Sequence, residues 1–97
     1  MYEIEFTPEA KEDLKALKKP EQQEVTNGIE TQLAHEPAVE TRNRKKMRPN
    51  EVAEWELRIG KFRVFYNVYE EALIVSIEVI GFKIRSKLFV RGKERKI

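Results

Sequence analysis

Residues 55 to 66, Trp55-Glu56-Leu57-Arg58-Ile59-Gly60-Lys61-Phe62-Arg63-Val64-Phe65-Tyr66, alternate apolar and polar side chains on either side of a Gly60-Lys61 pair. A period of two marks a strand with one buried face, and a glycine that can take positive φ closes two such strands into a hairpin. A chain with this stretch must build a sheet. Something apolar must also cover the face formed by Trp55, Leu57, Ile59, Phe62, Val64 and Tyr66. The same pleat sets Glu54, Glu56, Arg58, Arg63, Phe65 and Asn67 on the opposite face.

The cover comes from the N-terminal part of the chain. Tyr2, Ile4 and Phe6 alternate with Glu3 and Glu5, which predicts a first strand over residues 2–6. Thr7-Pro8-Glu9 then supplies an N-cap, a proline at the first helical position and an early acid, and Ala10, Leu14 and Leu17 follow at helical spacing. This helix is expected to end near Lys18-Lys19. Pro20 opens a second helix in which Val25, Ile29 and Leu33 recur every fourth residue, and Pro37 stops it. Residues 38–52 show no apolar period and read as a loop. After the hairpin, Glu70-Glu71 makes a turn, Leu73 to Ile80 reads as a central strand buried on both sides, and Gly81 ends it. Leu88-Phe89-Val90 either closes as a short strand or holds the basic tail on the sheet. The expected fold is α+β: one domain, residues 1–97, with an N-terminal strand and a two-helix hairpin packed on one face of a small, mainly antiparallel sheet. The other face is left for function.

Charge directs attention to that face. Residues 1–41 hold 4 Lys/Arg against 10 Asp/Glu, a net of −6, and residues 42–97 hold 15 against 7, a net of +8. A cationic half built on a sheet suits a polyanion, because clustered cations attract phosphate and release its counterions. The sequence has no cysteine and a single histidine, His35, so neither a disulfide framework nor a thiolate metal site is available. No metal or cofactor is expected. The start of the sequence lacks a secretion signal and no stretch reaches transmembrane length, so a cytoplasmic protein with no membrane partner is expected.

In its strand-helix-helix opening, its Leu57-to-Tyr66 hairpin and the branched strand ending Ile80-Gly81-Phe82-Lys83, the chain resembles the RelE/ParE family of bacterial toxins from type II toxin-antitoxin modules. The resemblance spans nearly the whole chain. It implies a microbial-RNase-like fold, a cognate antitoxin as partner, and one of two activities: cleavage of mRNA on the ribosome, as in RelE-type members, or inhibition of DNA gyrase, as in ParE-type members. An inactive toxin descendant is a further alternative. On this resemblance Arg63 matches the arginine that stabilises the scissile phosphate, and Lys83 a second basic residue near the same phosphate. Three positions depart from RelE-type members. Glu54 and Glu56 stand where those carry lysines, and Phe89 where they carry a late tyrosine.

Metal-independent RNA cleavage needs a base for the 2′-hydroxyl proton, cations for the developing phosphorane charge and a donor for the leaving oxygen. Glu54 or Glu56 fits the first role, Arg63 and Lys83 the second, and Lys61 or Arg85 the third. Cross-strand ion pairs of Glu54 or Glu56 with Arg63 or Lys61 fit the same alternation. Contacts to RNA are expected from Arg42, Arg44, Lys45 and Lys46 in the basic loop, and from Arg58, Lys87 and Arg91. Phe65 either stacks a base or packs beneath the basic C-terminal segment. Trp55 is expected in the core, and His35 as a polar residue at the end of the second helix.

Overall fold

The computed structural model describes all 97 residues. The elements are β1 (Glu3–Phe6), α1 (Pro8–Lys15), α2 (Lys19–Leu33), β2 (Arg44–Lys46), β3 (Trp55–Ile59), β4 (Phe62–Tyr69), β5 (Ile74–Ile84), β6 (Lys87–Val90) and β7 (Lys93–Glu94). One sheet runs in the order β2-β3-β4-β5-β6-β7, with β1 added in parallel beside the first half of β5. The predicted α+β architecture is the one observed.

Local chemistry explains most boundaries. The Thr7 hydroxyl accepts a hydrogen bond from Ala10 N–H (3.0 Å), and Pro8 follows it at the start of α1. This helix stops at Lys15, earlier than the expected Lys18-Lys19, because Lys18 is already the extended N-cap of α2 and its N–H donates to the Glu21 carboxylate. Gly60 takes φ 56° at the hairpin turn, as its placement between two alternating runs requires.

Val25, Ile29 and Leu33 of α2 and Ala10 of α1 pack on Trp55, Leu57, Phe62, Val64, Tyr66, Val75, Ile77 and Ile80. Trp55 stacks against Tyr66 at 6.2 Å, which makes it the core anchor expected, and the Tyr66 hydroxyl donates to the buried Pro37 carbonyl (2.7 Å). Gly28 lets α2 approach the sheet. A Cβ there would lie 2.5 Å from Ile59 Cδ1.

Three expectations need correction. Residues 44–46 are a strand, not loop: they pair with Trp55, Glu56 and Leu57, and a three-residue edge strand is too short to show an apolar period. Gly81 does not end the long strand, which continues to Ile84. The glycine is needed because β6 crosses so close that a Cβ would sit 2.5 Å from the Phe89 carbonyl oxygen. The face away from the helices is also not wholly open. Ala53, Phe65, Val79, Leu88 and Val90 form a second, smaller core there, backed by Met47 and Val52. It exists because Glu78 is an extra residue between Phe65↔Val79 and Tyr66↔Ile77, a bulge that bends β5, and because Leu88-Phe89-Val90 does close as a strand.

β5 is too long for either neighbour on its free edge. β1 covers residues 74–77 and β6 covers 82–84, which leaves a gap between them. Side chains and the helix entry fill it. Ile80 N–H donates to Asp13 Oδ2 (3.0 Å), Thr7 N–H donates to the Ile77 carbonyl (3.1 Å), and the Thr7 hydroxyl donates to the Glu78 carbonyl (3.3 Å). Asp13 is only 2% exposed, and burial pushes its carboxyl above the usual value despite the Ile80 hydrogen bond and the nearby Arg91.

Candidate nucleic-acid interface

The hairpin places Arg58 directly opposite Arg63, two like charges on the face away from the helices. Glu56 lies one pleat repeat before Arg58 on the same strand face, and its carboxylate reaches both. Oε1 is 4.0 Å from Arg58 Nε and Oε2 is 3.8 Å from Arg63 Nε. Without that carboxylate the paired arginines would repel. Arg63 is further held by its Nη1, which donates to the Gly60 (2.8 Å) and Phe62 (2.9 Å) carbonyls. Its Nε is buried with no hydrogen-bond partner, and desolvation lowers the guanidinium pKa, an effect that Glu56 opposes. The group stays charged at neutral pH. A buried, underused donor on a fixed guanidinium suits an incoming anion.

Glu56 forms the floor of two adjoining concavities of about 510 and 480 Å³. One is walled by Lys45, Lys46 and Arg48, from β2 and the loop after it. The other is walled by Lys83, Lys87, Arg95 and Lys96, with Glu94 as its one further acid. Together they make a cationic groove whose charge suits a phosphate backbone.

Of the residues singled out in the sequence, Glu56, Arg58 and Arg63 are brought into one cluster, Lys83 and Lys87 line one lobe, and Lys45 and Lys46 the other. Glu54 is removed from the groove: it precedes β3 and lines a separate hollow with Trp55, Glu70 and Glu71. Lys61 turns toward α2, pairing with Glu21 (3.2 Å) and resting over the rings of Phe62 and Phe82. Arg85 is exposed in the β5–β6 turn with φ 60° and, like exposed Arg42, lines neither lobe. Phe65 is 2% exposed in the second core, so it packs and does not stack a base. Arg91 pairs with Asp13 (2.9 Å), on the helix side of β5.

Arg44 is the clearest reassignment. It is 9% exposed, its Nε donates to the Val39 carbonyl (3.0 Å) and its Nη1 to the Gln32 carbonyl near the end of α2. It therefore ties the α2–β2 connection to the helix instead of meeting phosphate. Arg44→Ala is expected to lower stability by about 2–3 kcal/mol, because two carbonyls lose a charged donor, and to leave the salt dependence of polyanion binding unchanged. Chemical denaturation and binding at several salt concentrations check both halves.

Asp13 was not evident as a structural residue, although it sits three positions from Ala10 on the apolar face of α1, where an acid needs a partner.

A helix hairpin thus packs on one face of a bent sheet, and a cationic groove lies on the other. The family described as ParE toxin of type II toxin-antitoxin system, parDE, matches residues 4–81. The chain belongs to this family and is a toxin of a type II toxin-antitoxin system. Among solved structures it is similar to a chain of the toxin-antitoxin complex RelBE2 from Mycobacterium tuberculosis, with 26% identity over 84% of this chain and 91% of that one, at TM-score 0.74. A chain of the archaeal RelE-RelB complex from Pyrococcus horikoshii OT3 shares the fold at TM-score 0.69, with 19% identity over 87% of this chain and 97% of that one. No curated protein matches the sequence.

Proposed function

We propose that the toxin is an endoribonuclease that cleaves mRNA on the ribosome. The observation that carries this reading is the Glu56 carboxylate held between Arg58 and Arg63 on the floor of a groove whose walls are lysine and arginine. In the proposed step Glu56 takes the proton of a ribose 2′-hydroxyl, the 2′-oxygen bonds to phosphorus, and the bond from phosphorus to the 5′-oxygen breaks. Arg63 and Lys83 stabilise the phosphorane charge. The expected donors Lys61 and Arg85 lie outside the groove, so the leaving 5′-oxygen takes its proton from Lys83 or Lys87. Glu56 is thus both ion-pair partner and base: the pairing fixes its position and substrate phosphate takes over the arginines.

The natural inhibitor is a cognate antitoxin, a reading supported by the two similar chains having been solved in complexes with RelB-type partners. A segment rich in carboxylates fits the same groove. One observation favours a second reading, gyrase inhibition: the matching family is described by ParE, and the match ends at residue 81, before Lys83, Lys87 and the other lysines and arginines of that wall.

Induction in cells separates the two. RNA cleavage predicts that protein synthesis stops and new 5′ ends cluster at defined codon positions in ribosome-bound mRNA, with antitoxin co-expression restoring growth. Continued translation with loss of gyrase-dependent supercoiling and DNA damage would replace this reading with the second.

A further inference from the structure

Three residues line both lobes of the groove: Met47, Glu56 and Ile97. Glu56 is engaged by Arg58 and Arg63, and Ile97 belongs to neither core. Met47 is held differently. Its N–H donates to the Glu54 carbonyl (2.8 Å), one step past Lys46↔Trp55, the last β2–β3 pair. The pleat therefore sets Met47 on the face of Lys45 and Glu56, where its half-buried side chain packs against the second core. The loop that follows is ordered by the Asn50 side chain, which donates to the Arg48 (2.7 Å) and Ala53 (2.9 Å) carbonyls and accepts from the Val52 and Ala53 N–H groups. An apolar thioether is thus fixed between two sets of cations, where it offers a phosphate nothing.

A nucleotide chain carries more than phosphate, because each sugar also bears a flat, polarisable base. We infer that Met47 is a base-stacking platform: a single-stranded nucleic acid with phosphates in both lobes lays an intervening base on the Met47 side chain. This inference rests on the polyanion reading of the groove and deepens it. The second core explains why this residue takes the role. Phe65 and Leu88 reach the groove from that core but are only 2% and 7% exposed, so the apolar surface it presents to both lobes is that of Met47. A thioether suits a base, since sulfur is polarisable and makes favourable contacts with aromatic rings. The contact needs no matched donors and acceptors, so it tolerates any base. Carboxylates engage the same cations but bring no ring, and the platform therefore favours nucleic acid over an acidic peptide of equal charge.

The experiment measures wild type and Met47→Ala against two probes: a single-stranded DNA oligonucleotide long enough to span both lobes, which lacks the 2′-hydroxyl needed for cleavage, and an abasic strand with the same number of phosphates. Wild type should bind the base-bearing strand about fivefold more tightly than the abasic one, and Met47→Ala should lose that preference while binding the abasic strand as wild type does. The slope of log affinity against log salt should be the same for both proteins, since no phosphate contact changes. A measurement on wild type alone stands beside the variant. The Met47 methyl resonance should shift upfield, under the ring current of a stacked base, with the base-bearing strand and stay in place with the abasic one. Equal wild-type affinity for the two strands, a base preference that survives Met47→Ala, a variant that weakens both strands alike, or a methyl that ignores the base would each overturn the platform while leaving the polyanion site standing. If wild type binds neither strand even at low salt, the polyanion reading falls and the platform falls with it.

Discussion

On the proposed endoribonuclease reading, Arg63→Ala is expected to leave a folded protein whose cleavage of ribosome-bound mRNA is slower by roughly a hundredfold or more, the scale seen when a fixed charge-stabilising donor is removed. The fold does not depend on this side chain for apolar packing, since Phe62, Val64 and Tyr66 on the other face carry the core. The cost in stability is that of two hydrogen bonds to the turn carbonyls of Gly60 and Phe62, about 1–2 kcal/mol. Arg63→Lys should recover only part of the rate, because an ammonium cannot present two parallel donors to a phosphate. Glu56→Gln sharpens the test. It keeps the shape of the side chain but removes the proposed base and the charge between Arg58 and Arg63, so activity should fall while the protein stays folded. A soluble Arg63→Ala protein that arrests growth and cuts mRNA as wild type does would reduce the cluster to a structural ion-pair network.

Asp13→Ala should have the largest effect on stability, a loss of about 2–4 kcal/mol, seen as a fall of roughly 10 °C or more in the thermal midpoint. It leaves the Ile80 N–H in the gap between β1 and β6 without an acceptor and Arg91 without its carboxylate. Asp13→Asn should cost less, because its amide oxygen can still accept from Ile80. The two also differ in pH dependence. Burial raises the Asp13 carboxyl above its ordinary 3.8, so the folded state holds this proton more tightly than the unfolded chain does. The stability this group adds is complete below pH 3.8 and is lost as pH rises through the folded value. Wild type should therefore stand highest relative to Asp13→Asn in acid, with the gap narrowing toward neutrality. A gap that widens with rising pH would mean that the Arg91 pairing outweighs desolvation.

The hairpin, both helices and the strand that opens the fold were legible because each obeys a local rule: period two around Gly60, period near four through Val25, Ile29 and Leu33, a Thr-Pro helix entry. Elements that depend on a distant partner were not. Arg44–Lys46 carries only cations and becomes a strand because Trp55, Glu56 and Leu57 offer it a ladder. Gly81 reads locally as a break, and only the approach of the Phe89 carbonyl reveals it as a crossing point.

The candidate site divides along the same line. Alternation within the hairpin was enough to set Glu56, Arg58 and Arg63 on one face, since a pleat dictates the side on which each residue falls. Which cations join them was decided by tertiary structure. Side-chain charge is a property of the residue, but its position depends on packing: Arg44 turns inward to the end of α2, Arg91 to Asp13 and Lys61 to Glu21, while Lys83, Lys87, Arg95 and Lys96 are gathered by the β5–β6–β7 fold-back. By itself the sequence determined a polarised α+β chain with an arginine hairpin, through short-range periodicity and charge. The groove, the second core, the buried Arg44 side chain and the buried Nε of Arg63 were decided only in three dimensions, because they arise from a bulge, a strand closure and contacts that local periodicity does not set.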